Sequence, residues 1–207
     1  EALASPLLAQ PQRHEVGEEL DTKIAEEEAS LSSRVWRVVP RERRTRPPAA
    51  VVGQMVHAAL KHWRYPDGGF DAWSAVLARR CGLIDARQVR NAQNETKRIL
   101  ERFRAHPLYL EMNAARRLHE LPYSIETGDK IEQGRMDLLY QIDGAGWTLV
   151  EFKTHRIASP SALDGYLSGE DYAQDEKQVL RYAAAVEKLA GERPRVLLCL
   201  LNCWDGV

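Results

Sequence analysis

Between Gly134 and Thr154, two runs of alternating apolar residues flank an Asp-Gly gap, and few folds accommodate the charged residues set among them. Met136, Leu138, Tyr140 and Ile142 alternate with their neighbours, as do Thr148, Val150 and Phe152. That period of two is the signature of β-strands with one buried face. If the apolar face packs on a core, Asp137, Glu151 and Lys153 project from the other, and Glu151 and Lys153, two apart, point the same way. Glu151 also interrupts the apolar run Leu149-Val150-Glu151-Phe152. An ionised group among such neighbours tends to be paired, metal-bound or at a cleft edge.

The hairpin carries a register condition. A plain four-residue loop over Asp143 to Gly146 would pair Asp137 with Phe152 and send the two carboxylates to opposite faces. For Asp137 to lie opposite Glu151, the loop must hold three or five residues, or one strand must carry a bulge.

Two carboxylates and a lysine suit phosphodiester hydrolysis, which needs an activated water and neutralisation of the charge that builds on phosphate. Magnesium prefers oxygen ligands and is commonly held by one or two carboxylates plus a substrate phosphate. A lysine beside it would serve as a point charge. The plainer alternative is a solvated hairpin whose exposed Glu-Lys pair contributes less than about 1 kcal/mol.

Helical spacing brackets this hairpin. Val52, Val56, Ala59, Leu60 and Trp63 form an apolar stripe over about 49–63, with Gly53 and His57 together beside it. Val89, Ala92, Thr96, Ile99 and Phe103 mark a long helix over about 86–105, closed before Pro107. A short helix is expected over 70–81, after the Asp67-Gly-Gly69 turn, and a strand near 119–126. Residues 155–172 read as a flexible loop beside the hairpin. A helix over about 173–190 carries Val179, Ala183, Val186 and Ala190, flanked by Gln178 and Tyr182, and stops at Gly191. A buried strand over 195–201 completes a mixed α/β pattern, joined to the Lys153 strand by that helix. Taken alone, His57 reads as a surface or packing residue, and Gln178 and Tyr182 as helix surface.

In chain order, Gly53-Gln-Met-Val-His57, Glu120-Leu-Pro122, Gly134-Arg-Met-Asp137, Glu151-Phe-Lys153-Thr154 and Gln178-Val-Leu-Arg-Tyr182 form a spaced set. The set resembles the PD-(D/E)XK nucleases, and within them the RecB-like nuclease domain at the C-terminus of AddA/RecB-type helicase-nucleases. It covers about 48–207. The resemblance implies a restriction-endonuclease-like fold, a mixed central β-sheet flanked by helices. It implies a Mg2+- or Mn2+-dependent exodeoxyribonuclease of double-strand break repair and recombination. His57, Asp137 and Glu151 would be metal ligands, with the Phe152 carbonyl a further one, and Lys153 the catalytic lysine beside Asp137 and Glu151. Glu120 would lie close to the site, and Gln178 and Tyr182 would support it or contact DNA. Glu151 stands where many relatives carry Asp. Asp175, three before Gln178, stands where an aromatic is often found.

The 207 residues, 44% of them hydrophobic, suffice for one substantial core with an appendage. A net charge of -1 leaves any grip on DNA to local patches or a partner. Residues 1–47, with the acidic run Glu26 to Glu28, an arginine run from Arg34 to Arg46 and Pro47-Pro48, read as a tether carrying one helix near 15–30. Glu1 in place of Met, and an end just past a strand, suggest an excised piece. The resemblance then implies a preceding, covalently linked helicase motor and single-stranded DNA as substrate, and leaves room for a second nuclease subunit. The chain contains no G-x-x-x-x-G-K-[ST] phosphate loop, so no ATP site is expected within it. Cys81, Cys199 and Cys203 make no disulfide framework and are too few for the four-cysteine iron-sulfur cluster of some relatives, so none is expected. With no membrane-spanning run and no signal peptide, the expected place is the bacterial cytoplasm, at the nucleoid. Two rival functions stand beside the nuclease: an inert module of the same shape that grips DNA or a partner, and a stand-alone structure-specific endonuclease.

Overall fold

A computed structural model describes residues 47–128 and 130–204. The expected tether lies outside these residues except for Pro47. So do its helix near 15–30 and the arginine run.

The first helix, α1 (Ala49–Lys61), buries Val52, Val56, Ala59 and Leu60. It ends in a left-handed turn at Trp63, φ 47°, where the Arg64 N–H reaches back to the Ala59 carbonyl at 2.8 Å. Helix α2 (Phe70–Arg80) follows. The long helix α3 (Ala86–Ala105) is started by Asp85, whose side chain accepts from the Gln88 N–H, and buries Val89, Ala92, Thr96, Ile99 and Phe103. Pro107 closes α3 as expected, yet it also opens a short helix, α4 (Pro107–Ala114). Proline is tolerated at a first helical position, whose N–H has no partner anyway.

The sheet comprises β1 (Arg116–Thr127), β2 (Lys130–Gln141), β3 (Trp147–Lys153) and β4 (Arg195–Leu200), in that spatial order. The first three run antiparallel, and β4 lies parallel to β3. Between β3 and β4 come α5 (Pro160–Leu167) and α6 (Glu170–Ala190), the latter ended by Gly191 at φ 78°. The stretch expected as a flexible loop therefore holds a helix, capped by the Ser159 hydroxyl on the Ala162 N–H. Within α6, Val179, Ala183 and Val186 are buried as their spacing requires, whereas Ala190 is exposed.

Helices cover both faces of the sheet. On one, Val52, Val56, Ile99, Leu100, Phe103 and Met112 pack on Leu138, Tyr140, Val150 and Phe152. On the other, Tyr182, Ala183, Ala185 and Val186 of α6 pack on Tyr123, Ile125, Met136, Leu139 and Leu149. This mixed, helix-flanked α/β sheet is the fold class the pattern implied.

One expectation is corrected. Met136 does not share a face with Leu138 and Tyr140: it packs under α6 while they pack under α1 and α3. The register of β1 and β2 is the same on either side of the change, with His119 opposite Leu138 and Leu121 opposite Met136. Both strands thus switch faces together at Glu120 and Asp137, and Glu120 takes φ 49° there. Strict alternation had hidden this because apolar residues serve either face of a sheet covered on both.

Candidate active site

Gln141 pairs with Trp147 and Leu138 with Val150, so the β2–β3 loop is the five residues 142–146. This is one of the loop lengths the register condition allowed. The ladder stops at Leu138 and Val150, one step short of Asp137 and Glu151. There the Asp137 carboxylate takes over, its Oδ2 accepting from the Phe152 N–H at 2.9 Å. Beyond that point β2 stays with β1 while β3 stays with β4. The two strands part there with Asp137 at the point of divergence, and Phe152 offers only its backbone, its ring being buried.

His57 approaches from α1, its Nδ1 3.4 Å from Asp137 Oδ1. The hydrogen bond to Asp137 raises its pKa above the ordinary histidine value against the opposing effect of burial, and Glu151 and Glu120 add to the rise. Gly53, one turn earlier, permits this approach: a Cβ there would lie 2.8 Å from Thr154 Oγ1. Glu120 contributes its charge from β1 and contacts Arg135 at 3.5 Å.

Glu151 and Lys153 sit on the α6 side. Lys153 Nζ lies 3.1 Å from Glu151 Oε1, 2.9 Å from Asp175 Oδ1 and 2.9 Å from Gln178 Oε1. Gln178 in turn donates to the Tyr182 hydroxyl at 2.8 Å. Tyr182 meets Tyr123 edge to face, and Tyr123 lies across Gly134, where a Cβ would stand 2.5 Å from its ring. The glycine opening the Gly134-x-x-Asp137 segment thus makes room for the aromatic that backs the lysine's support.

Glu151 is the least satisfied group. Its side chain is 6% exposed, and Oε2 is buried with no hydrogen-bond partner. Burial first, then the facing Asp137, push its pKa up to about 7, although Lys153 and His57 pull the other way. Among the described residues no three His, Cys, Asp or Glu side chains form a ready cluster for a metal ion; Asp137 meets His57 and the Phe152 N–H. The chemistry of the donors still suits a hard divalent cation: two carboxylates, one with a buried orphan oxygen, and an imidazole. Such an ion would answer the desolvation that leaves Glu151 half protonated near neutrality.

Contacts or charge link His57, Glu120, Asp137, Glu151, Lys153, Gln178 and Tyr182, all expected from sequence, and the backbone of Phe152, the eighth expected residue, meets Asp137 through its N–H. Asp175, taken as a departure from pattern, was missed as a member. The available signal was its spacing of three from Gln178 and seven from Tyr182, which puts it on their side of α6.

The sequence profile described as the PD-(D/E)XK nuclease superfamily matches residues 25–202. Over 146 residues the chain is 27% identical to a Lysinibacillus sphaericus protein whose name describes an ATP-dependent helicase/nuclease subunit. That match covers 67% of this chain and 12% of the longer protein. A crystal structure of a Vibrio cholerae protein aligns with 72% of this chain and 46% of its own, at 12% identity and a TM-score of 0.29.

Proposed function

The chain belongs to the PD-(D/E)XK nuclease superfamily, and from that premise we propose that it is a magnesium- or manganese-dependent deoxyribonuclease of the exonuclease type. The observation that carries the reading is the orphaned, buried Glu151 Oε2, set close to Asp137, His57 and Lys153 where β2 and β3 part. His57, Asp137, Glu151 and the Phe152 carbonyl would hold the ion, which when bound supplies charge neutralisation and an acidified water. Lys153 presents a fixed ammonium to the scissile phosphate, where positive charge offsets what develops on the phosphoryl oxygens. Gln178 and Tyr182 keep that ammonium in place, and Glu120 adds negative charge that favours a cation. Hydrolysis inserts water between phosphorus and one ester oxygen, leaving a phosphate monoester and a hydroxyl end.

Similarity to a protein named for both helicase and nuclease activity supports the wider setting. In it, residues 48–207 are the nuclease domain and 1–47 the link from a helicase motor that feeds it single strands during double-strand break repair and recombination. Among the described residues no helix is long and apolar enough to cross a membrane.

The test is cleavage of end-labelled single-stranded DNA with magnesium, with manganese and with EDTA. Release of short products from an end, lost with EDTA and in Asp137→Asn, is the expected result. Binding without cleavage under every divalent cation would favour the inert module, and cutting of covalently closed circles the stand-alone endonuclease.

A further inference from the structure

Lys153 offers three N–H donors and has three acceptors, Glu151 Oε1, Asp175 Oδ1 and Gln178 Oε1. One comes from its own strand and two from α6, so the ammonium is strung between the sheet and the helix. Asp175 is itself buried. Its second oxygen accepts from the Tyr166 hydroxyl at 2.7 Å and lies 3.5 Å from Nε2 of the half-exposed His155. Tyr166 belongs to α5, so the carboxylate joins that helix to the lysine.

We propose that Asp175 is the positioning residue for Lys153, sharing its ammonium with Glu151 so that the glutamate's second oxygen, Oε2, remains available to a cation. The proposal rests on the nuclease reading above for the roles of Lys153 and Glu151. Two carboxylates compete for one ammonium, and each takes one contact. Remove the charge of Asp175 and Glu151 is the one carboxylate left pulling on the lysine, so the ammonium shifts further toward the group the ion needs. Tyr166 cannot replace Asp175, because a phenol donates to the carboxylate and leaves Lys153 untouched. The alternative is that Asp175 serves only to anchor α5, in which case its bond to Tyr166 is the one that matters.

Three proteins separate these: wild type, Asp175→Asn and Tyr166→Phe. The first readout requires no activity: the 1H–15N signal of the Lys153 ammonium, assigned with Lys153→Arg, whose hydrogen bonds slow exchange with water. The signal should be present in wild type, weakened or lost in Asp175→Asn, and kept in Tyr166→Phe. The second is Mn2+ binding, which should weaken in Asp175→Asn alone. In cleavage, Asp175→Asn should lower kcat by about 10²-fold, the scale of a misplaced catalytic group, with KM for DNA within about twofold. An unchanged ammonium signal in Asp175→Asn, or an equal loss in Tyr166→Phe, overturns the proposal. If Asp175→Asn does not fold, a wild-type Lys153 ammonium exchanging as fast as an exposed lysine overturns it. Wild-type protein that keeps the protected signal but cuts nothing would instead refute the nuclease reading.

Discussion

Glu151 makes the site unstable to its own ionisation. A carboxyl group held near 7 in the fold and near 4.3 in the unfolded chain binds its proton more tightly when folded. Its stabilising contribution is full below the unfolded value and is lost as pH rises through about 7. Metal-free protein should therefore lose on the order of 2 kcal/mol between pH 5 and 8 from this group, measured by denaturant unfolding. Glu151→Gln should flatten that slope, and a slope unchanged by the substitution would contradict the assignment. If Glu151 and His57 hold the ion as proposed, Mn2+ affinity should by the same linkage increase with pH over 6 to 8, because both would shed protons on binding; calorimetry at a series of pH values checks this. The residues involved were legible because a glutamate among Leu149, Val150 and Phe152 is costly unless used. Asp175 was not, because its burial depends on Tyr166, which reaches it from a segment with no strong helical period.

Among the elements, the hairpin was the most legible, because side-chain alternation and the demand that Asp137 face Glu151 restrict loop length to odd values. Its kink was not. Met136, Leu138 and Tyr140 are apolar on either face, so nothing in their order shows that β1 and β2 switch sides at Glu120 and Asp137. Helix α4 was hidden behind Pro107, which ends one helix and starts another. The two motif glycines acquire a physical reason only from packing. Gly134→Ala would drive a methyl into the Tyr123 ring, an overpacking cost of about 1–3 kcal/mol. It should also disturb Tyr182 and, through Gln178, Lys153. The expected outcome is a lower Tm together with reduced cleavage. Gly53→Ala meets only a threonine hydroxyl, which can rotate, so it should cost less stability. Thermal melts of the two variants, run side by side, test that order.

At the scale of the whole molecule the difficulty is grip. Nucleic acid is held largely through phosphate contacts that release counterions, and 29 Lys and Arg against 30 Asp and Glu supply no general attraction. Glu120, Asp137, Glu151 and Asp175 outnumber the cations Lys153 and Arg135 that pair with them, so without a bound ion the site offers a phosphate little attraction. Two consequences follow from charge alone. Divalent cations should tighten binding of single-stranded DNA even in Lys153→Met, which lacks the proposed catalytic lysine, because the ion offsets carboxylate charge before any chemistry. Fluorescence anisotropy with calcium in place of magnesium measures this, and equal affinity with calcium and with EDTA would contradict it. The remaining attraction should fall steeply with monovalent salt. If the proposed function holds, fusing the chain to a helicase motor should lower KM by raising the effective concentration of DNA, while kcat stays where the isolated chain sets it.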